Sequence, residues 1–402
     1  MPSAAGRFEK FRTLMEADGS LQELLCQPDD PALFITLVVE RARGHGLRLD
    51  AADVEAAIRA NRPICAAATA DDSAAAWPPK GWLPVRAQWR DRKLYLDWIY
   101  LGPRRLSDPF FEETVLRYQS KPFNRLFRTS TPIDALPGWL RTHPGLAPTG
   151  FIFHMSRCGS TLVSQMLAAI PGNLVVAEAG PIDAVVQARQ ARPDLDHEQH
   201  AAWLRWMVGA LGQPRDGAER HFFVKLDSWH ALALPLFRRA FPTVPWIFLY
   251  RDPVEVLVSQ IRQRGIHMVH GLTGEAVFGF PASHAMQPPE TYCAEVLARI
   301  CDAVLREYAP GTALAVNYRQ LPAALWSDVL PHFGLSCSDG DRAAMAEAAR
   351  YDAKHRELPF VDDSAAKQAL ATNKIRSAAG PLGALHARLE ALRLEILEHQ
   401  KN

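Results

Sequence analysis

The chain has no C-x-x-C pair: its six cysteines, Cys26, Cys65, Cys158, Cys293, Cys301 and Cys337, are scattered along it. That spacing excludes a zinc ribbon and a disulfide framework, and fits reduced thiols in a cytosol. Net charge is almost absent, at +1 from 45 basic and 44 acidic residues. No global field therefore favours nucleic acid or an anionic membrane, and any anion site has to be local. No run of about 18 apolar residues occurs. The N-terminal MPSAAGRFEKFRTLMEADG is charged where a signal peptide needs an apolar core. A cytoplasmic protein with no membrane span is expected, and there is neither an internal repeat nor a low-complexity tract. What is present is ordinary globular composition over 402 residues, 48% hydrophobic and 22% charged, long enough for more than one structural unit.

Residues 7 to 62 carry apolar positions at helical spacing: Phe8, Phe11 and Met15, then Leu21, Leu24 and Leu25, then Leu33, Leu37 and Val38. A further helix is expected from Asp50, with Val54 and Ile58 on its buried face. These residues predict a small helical domain over 1–65. Residues 66–80, AAATADDSAAAWPPK, have linker composition. Over 81–148 aromatics and prolines are dense (Trp82, Trp89, Trp98, Phe110, Phe111) around the alternating RKLYLDWIYL, which predicts a β-containing lead-in packed on the main domain. From 149 to 402 apolar strand-like runs alternate with helical ones, as in an α/β domain whose mainly parallel sheet is covered on both faces.

Two stretches of that last region point to anions. In FIFHMSRCGSTLVSQML (151–167) an apolar strand runs through Ser156-Arg157-Cys158-Gly159 into a helix. Such a turn presents free N–H groups and the positive end of a helix dipole. Gly159 allows close approach, Ser160 and Thr161 supply hydroxyls, and Arg157 supplies charge. The loop fails the triphosphate pattern G-x-x-x-x-G-K-[ST], because His154 stands at the first glycine and Ser160 at the lysine. In VPWIFLYRDPVEVLVSQIRQR (244–264) a second strand ends at Arg251, Asp252 caps a new helix and Pro253 opens it. Ser259 lies seven residues beyond Asp252, about two helical turns, so Arg251 and Ser259 can share one phosphate.

Together these elements resemble the sulfotransferase superfamily, which uses 3′-phosphoadenosine 5′-phosphosulfate (PAPS). SRCGSTL is similar to its bacterial R-S-G-[ST]-[ST]-L loop for the 5′-phosphosulfate, and RDPVEVLVS to its Arg-x7-Ser element for the 3′-phosphate. The resemblance spans about residues 149 to 380 and implies a three-layer αβα fold of P-loop type. It implies sulfuryl transfer from PAPS, without a metal, to a hydroxyl-bearing acceptor that could be a small molecule, a sugar or a peptide. Arg157, Cys158, Gly159, Ser160 and Thr161 would then cradle the phosphosulfate, and Arg251 and Ser259 the 3′-phosphate. Glu178, in LVVAEAGPID, corresponds to the glutamate that several branches use as base, with Asp183 in reserve; burial near Val175 and Val176 is expected to raise its pKa. Lys225, in HFFVKLDSWHAL, corresponds to the lysine that stabilises the leaving phosphate, whereas His230 is displaced from the family's histidine. The family's C-terminal glycine-basic element is missing; Lys374 and Arg376 in ATNKIRSAAGPLG are the expected substitutes, and Lys354 and His355 in YDAKHRELPF further contacts. The N-terminal block resembles the helical leader-peptide domain associated with nitrogen-fixation clusters and some peptide natural products.

Two other readings stay open at this point. FFVKLD could end in a magnesium-holding Asp227, as in a P-loop kinase or nucleotide hydrolase. A leader-binding protein on a transferase fold that has lost its activity is the other. His267 and His270 lack a third ligand, so no metal is expected, and a homodimer is left open.

Overall fold

The structure is a computed structural model and describes residues 4–60, 64–65, 78–273 and 275–399. Most of the linker expected over 66–80 lies outside the described residues. Four helices open the chain: α1 (Ala4–Ala17), α2 (Gly19–Leu25), α3 (Pro31–Gly44) and α4 (Ala51–Ala60). Aspartates begin three of them: Asp18 accepts from Leu21 N at 3.0 Å, Asp30 from Leu33 N at 2.9 Å and Asp50 from Asp53 N at 2.8 Å, each satisfying a donor that the helix cannot. Phe11, Met15, Leu25, Phe34, Val38 and Val54 close their core.

A four-stranded sheet follows, of β1 (Ile64–Cys65), β2 (Trp82–Arg90), β3 (Lys93–Tyr100) and β4 (Thr129–Pro132), in the order β1-β4-β3-β2. β2 and β3 form a hairpin whose two turn residues, Asp91 and Arg92, both have left-handed φ (47° and 63°), the twist that a two-residue connection needs. The helices pack directly on this unit. Phe8 stacks on Phe127 with centroids 6.0 Å apart, and the buried Gln22 amide accepts from Trp82 Nε1 at 3.1 Å.

The main domain is built on β5 (Pro148–His154), β6 (Asn173–Ala177), β7 (His221–Lys225), β8 (Trp246–Tyr250) and β9 (Ala313–Asn317), all parallel, in the order β6-β7-β5-β8-β9. β6, β8 and β9 are buried at every position, which accounts for their continuous apolar runs: both faces are covered by helices. This is the α/β, αβα architecture expected. Chain order reverses on either side of β5, so the carboxyl end of β5 is the switch point where open α/β sheets bind ligands. One element differs from expectation. The helix read over 229–240 is a 3-10 turn, Ser228–Ala233, followed by an α-helix, Leu234–Ala240. Pro235 in the first turn restarts the helix.

Arg215 joins the lead-in to this domain. Its guanidinium is buried and donates to Gly102 O (2.7 Å), Gly81 O (3.0 Å) and Arg104 O (3.4 Å). Burial lowers its pKa to about 10 against the pull of Glu219. Arg215→Ala leaves Gly102 O and Arg104 O without a donor, while Gly81 O keeps the N–H groups of Leu101 and Gly102, and unsatisfied buried acceptors cost about 1–3 kcal/mol each. The variant is expected to lose about 3 kcal/mol or more in urea unfolding; a loss below about 1 kcal/mol would mean that this contact does not hold the units together.

Candidate active site

All five strands of the parallel sheet deliver side chains to one edge. His154 ends β5, Glu178 follows β6, Lys225 ends β7, Arg251 follows β8 and Tyr318 stands one residue past β9. All but Lys225 line a cavity of about 430 Å³. Phe110 of the lead-in and Lys354 and Asp363 of the late loop line it too.

The turn after β5 is held open by its backbone. Ser156, Arg157 and Gly159 have φ of 76°, 52° and 85°, a left-handed conformation that costs non-glycine residues energy and clusters at functional sites. At Gly159 a Cβ would also come within 2.8 Å of the Tyr318 ring, so only glycine fits. Among the described residues, no N–H from Arg157 to Leu162 reaches a backbone carbonyl; Val163 N, bonded to Gly159 O at 3.1 Å, is the first that does. A row of free donors at a helix start is an anion cradle. Its anchors lie behind it. Gln260 Nε2 donates to Ser156 Oγ at 2.9 Å, Ser156 N donates to His154 Nδ1 at 3.1 Å, and Cys158 Sγ donates to Leu249 O at 3.1 Å. Burial pushes the Cys158 thiol up to about 12, so Cys158 is an inert filler in the loop. Arg157 reaches across to Gln263 O at 2.7 Å.

Below the cradle lies a buried ion pair. Lys225, with no side-chain exposure, places Nζ 2.6 Å from Glu178 Oε1, 3.4 Å from Thr161 Oγ1 and 4.8 Å from the centroid of Phe110. Glu178 itself is in left-handed conformation (φ 56°) and its N–H donates to Lys225 O at 2.8 Å. His154 Nε2–H donates to Leu226 O at 2.8 Å and lies 3.3 Å from Glu178 Oε1; burial pushes this imidazole below its usual range, which keeps it neutral. The expected rise in the Glu178 pKa is not found. Burial does act upward, but Lys225 and His154 hold the carboxyl well below the usual carboxylate range.

On the other side of the cavity, Asp252 caps the helix Pro253–Arg262 by accepting from Val254 N and Glu255 N. Buried Arg251 places its guanidinium carbon over the Tyr318 ring, 3.9 Å from the centroid. It donates to Glu255 Oε2 at 2.6 Å, to Asp363 Oδ1 at 2.8 Å and to Ser364 Oγ at 3.0 Å. Lys367 Nζ meets the same Asp363 at 2.8 Å, so Asp363 sits in a ring of donors suited to an anion. Ser259 lines the cavity from the second turn of this helix.

The structure thus brings Arg157, Cys158, Gly159, Ser160, Thr161, Glu178, Lys225, Arg251 and Ser259 together. It does not bring Lys374 and Arg376 to them. Lys374 borders a separate groove between the helices Pro289–Glu307 and Asn373–His399, and Arg376 donates to Gln368 O at 2.7 Å on the surface. The basic residue that stands beside Arg251 is Lys367, which gives no signal inside the polar SAAKQAL. Tyr318 was findable, since it directly follows an apolar strand. Asp183, Asp227 and His230 offer ligand atoms within 4.8 Å of one another. Asp183 Oδ1 already accepts from Trp229 (2.7 Å), His230 (2.9 Å) and Gln187 (2.7 Å), which makes the group a hydrogen-bonded network and not a cation site. His267 bonds Ser228 at 3.2 Å, and burial lowers it to about 3.

No family model matches the chain, and no curated protein is detectably similar to it in sequence. Solved structures that resemble it include the sulfotransferase domain of the Synechococcus olefin synthase, at 18% identity over 58% of this chain and 88% of that one with a TM-score of 0.34. Another is the sulfotransferase domain from the curacin biosynthetic pathway, at 16% identity over 60% and 98% with a TM-score of 0.37. A sulfotransferase from Mycobacterium tuberculosis matches at 16% identity over 50% and 71% with a TM-score of 0.32. At such scores the likeness carries no weight for function, which rests on the site. Among the described residues no helix is long and apolar enough to cross a membrane.

Lys354 reports the field in the cavity. The residue is exposed overall, but its ammonium sits 5.5 Å from the Phe110 ring centroid. Desolvation, then the charges of Arg157 and Lys225, lower it to about 8 against Glu178. Acetylation followed by mass spectrometry across pH is expected to show Lys354 reacting at lower pH than the other surface lysines. Inorganic pyrophosphate should suppress that reactivity by supplying the missing countercharge. Titration with the bulk lysines and indifference to pyrophosphate would contradict an anion site here.

Proposed function

We propose that the protein is a sulfotransferase that moves the sulfuryl group of PAPS to an acceptor hydroxyl. The observation that carries this reading is the pairing of two anion sites across one cavity: the free N–H row from Arg157 to Leu162, and the Arg251–Ser259 element. One phosphate-bearing end is not enough to use both. A nucleotide phosphorylated at both the 3′ and 5′ positions is.

In this reading the N–H row, with Ser160, Thr161 and Arg157, holds the 5′-phosphosulfate. Arg251, over the Tyr318 ring, and Ser259 take the 3′-phosphate. The acceptor oxygen bonds to sulfur on the side opposite the bridging oxygen, and the sulfur–oxygen bond to the 5′-phosphate breaks with its electron pair leaving on that phosphate. The growing charge meets Lys225 and the loop donors, already in place at no reorganisation cost. The acceptor proton passes to a cavity carboxylate, for which Glu178 is the residue expected from sequence. Kinase chemistry is less well served, because Ser160 stands where a triphosphate loop carries its lysine and Lys225, beneath that loop, is buried in an ion pair with Glu178.

Calorimetric titration with adenosine 3′,5′-bisphosphate, against ATP with magnesium, tests the reading. The bisphosphate is expected to bind the more tightly, and Arg251→Ala to weaken it by about 10- to 100-fold, the worth of one charged hydrogen-bond set. ATP binding as tight or tighter, and indifferent to Arg251→Ala, would overturn it. Asp363 now satisfies Arg251 and Lys367, so a 3′-phosphate has to displace it. Asp363→Ala is therefore expected to tighten bisphosphate binding; a weaker complex would show that Asp363 does not occupy the phosphate position.

A further inference from the structure

Four carboxylates line the cavity among the described residues: Glu178, Asp227, Asp352 and Asp363. Three are engaged. Glu178 holds Lys225 at 2.6 Å, Asp352 accepts from Lys354 N and His355 N at 2.9 Å each, and Asp363 holds Arg251 and Lys367 at 2.8 Å. Asp227 is different. Its side chain is only 12% exposed, and no donor in the described protein bonds its carboxylate. His230 Nε2 comes to 3.9 Å, but its proton is committed to Asp183 at 2.9 Å. Trp229 and Gln187 also donate to Asp183, so that carboxylate is held where it takes the His230 proton. A carboxylate this little exposed, without a protein donor and opening on the cavity, is placed to take its donor from a ligand.

We propose that Asp227, not Glu178, is the general base of the sulfuryl transfer: the acceptor hydroxyl donates to the Asp227 carboxylate in the cavity and gives up its proton there. The inference rests on the sulfotransferase reading. The acceptor O–H bond breaks as the oxygen bonds to sulfur; the proton goes to Asp227, and the electron pair of the broken sulfur–oxygen bond goes to the 5′-phosphate. Asp227 afterwards releases the proton to solvent. Glu178 keeps a separate task. As the counter-ion of buried Lys225 it fixes the ammonium beneath Thr161 of the loop that would hold the leaving phosphate, and a carboxylate so strongly paired is a poor proton acceptor.

Titration agrees with this division. Burial, reinforced by the charges of Glu178 and Asp183 and opposed by His230 and Lys225, raises the Asp227 carboxyl to about 7. A base is most effective when its pKa lies near the working pH. Below about 7 Asp227 is protonated and cannot accept, so transfer is expected to rise with pH through that point. The linked effect on stability has the opposite sense. A carboxyl raised in the folded state favours folding at low pH, and that contribution is lost as pH climbs through about 7.

The test compares the wild type with Asp227→Asn and Glu178→Gln, using adenosine 3′,5′-bisphosphate for binding and radiolabelled PAPS for transfer to 2-naphthol, or to water where naphthol is not accepted. Asp227→Asn is expected to bind the bisphosphate like the wild type and to lose about 100-fold or more in transfer, the usual worth of a general base. It should also lose the acid limb of the pH profile, and melt relatively higher than the wild type at alkaline than at acid pH. Glu178→Gln should retain the limb. Transfer by Asp227→Asn within a few-fold of the wild type, an acid limb that survives, or loss of bisphosphate binding together with transfer would each overturn the assignment. Failure of the wild type itself to bind the bisphosphate would overturn the sulfotransferase reading instead.

Discussion

The ion pair of Lys225 with Glu178 organises the site. An ammonium with no exposed side-chain surface can stay charged only if its partner is close and fixed, and removing one member of such a pair typically costs about 3–5 kcal/mol. Each partner is pinned by a strand end. Lys225 closes β7, and Glu178 follows β6 in a left-handed conformation with its N–H on Lys225 O. The pair therefore ties two strand ends to Thr161 in the cradle and, through the Phe110 ring at the start of the helix Phe111–Gln119, to the lead-in. Charge, loop geometry and domain docking meet at one nitrogen atom.

In the proposed reading, this arrangement lets the loop after β5 dispense with a lysine of its own. A triphosphate loop reaches its outer phosphate with a long side chain from the helix start, whereas here positive charge comes from beneath, already desolvated and oriented. Arg157 and Lys354 add charge at the rim, where desolvation first, and then the charges of Arg157 and Lys225, lower Lys354. The lead-in does more than pack on the domain, since Phe110 lies against both Lys225 and Lys354.

Local patterns carried over from sequence to structure, while features that depend on how distant segments meet did not. The strand-turn-helix of Ser156 to Thr161 and the capped Arg251–Ser259 element are legible because each is set by a few adjacent residues. So is the parallel sheet, whose strands are apolar throughout because both faces are covered. Lys374 and Arg376 were read from a local basic pair, yet the direction of the helix Asn373–His399 carries them away from Arg251, and Lys367 arrives there from a segment with no distinguishing composition. The Glu178 environment was half legible. Its burial follows from the apolar strand before it, but the 2.6 Å contact with Lys225 depends on strand order. Asp227 stands two residues after Lys225 in plain sight. Its isolation appears only once His230 is seen bonded to Asp183.

A crystal structure with adenosine 3′,5′-bisphosphate decides between these arrangements. The 5′-phosphate is expected on the N–H groups of Gly159 to Thr161, above Lys225, and the 3′-phosphate against Arg251 and Ser259 with Asp363 displaced. A nucleotide bound outside this cavity, or one whose 3′-phosphate points away from Arg251, would contradict that placement.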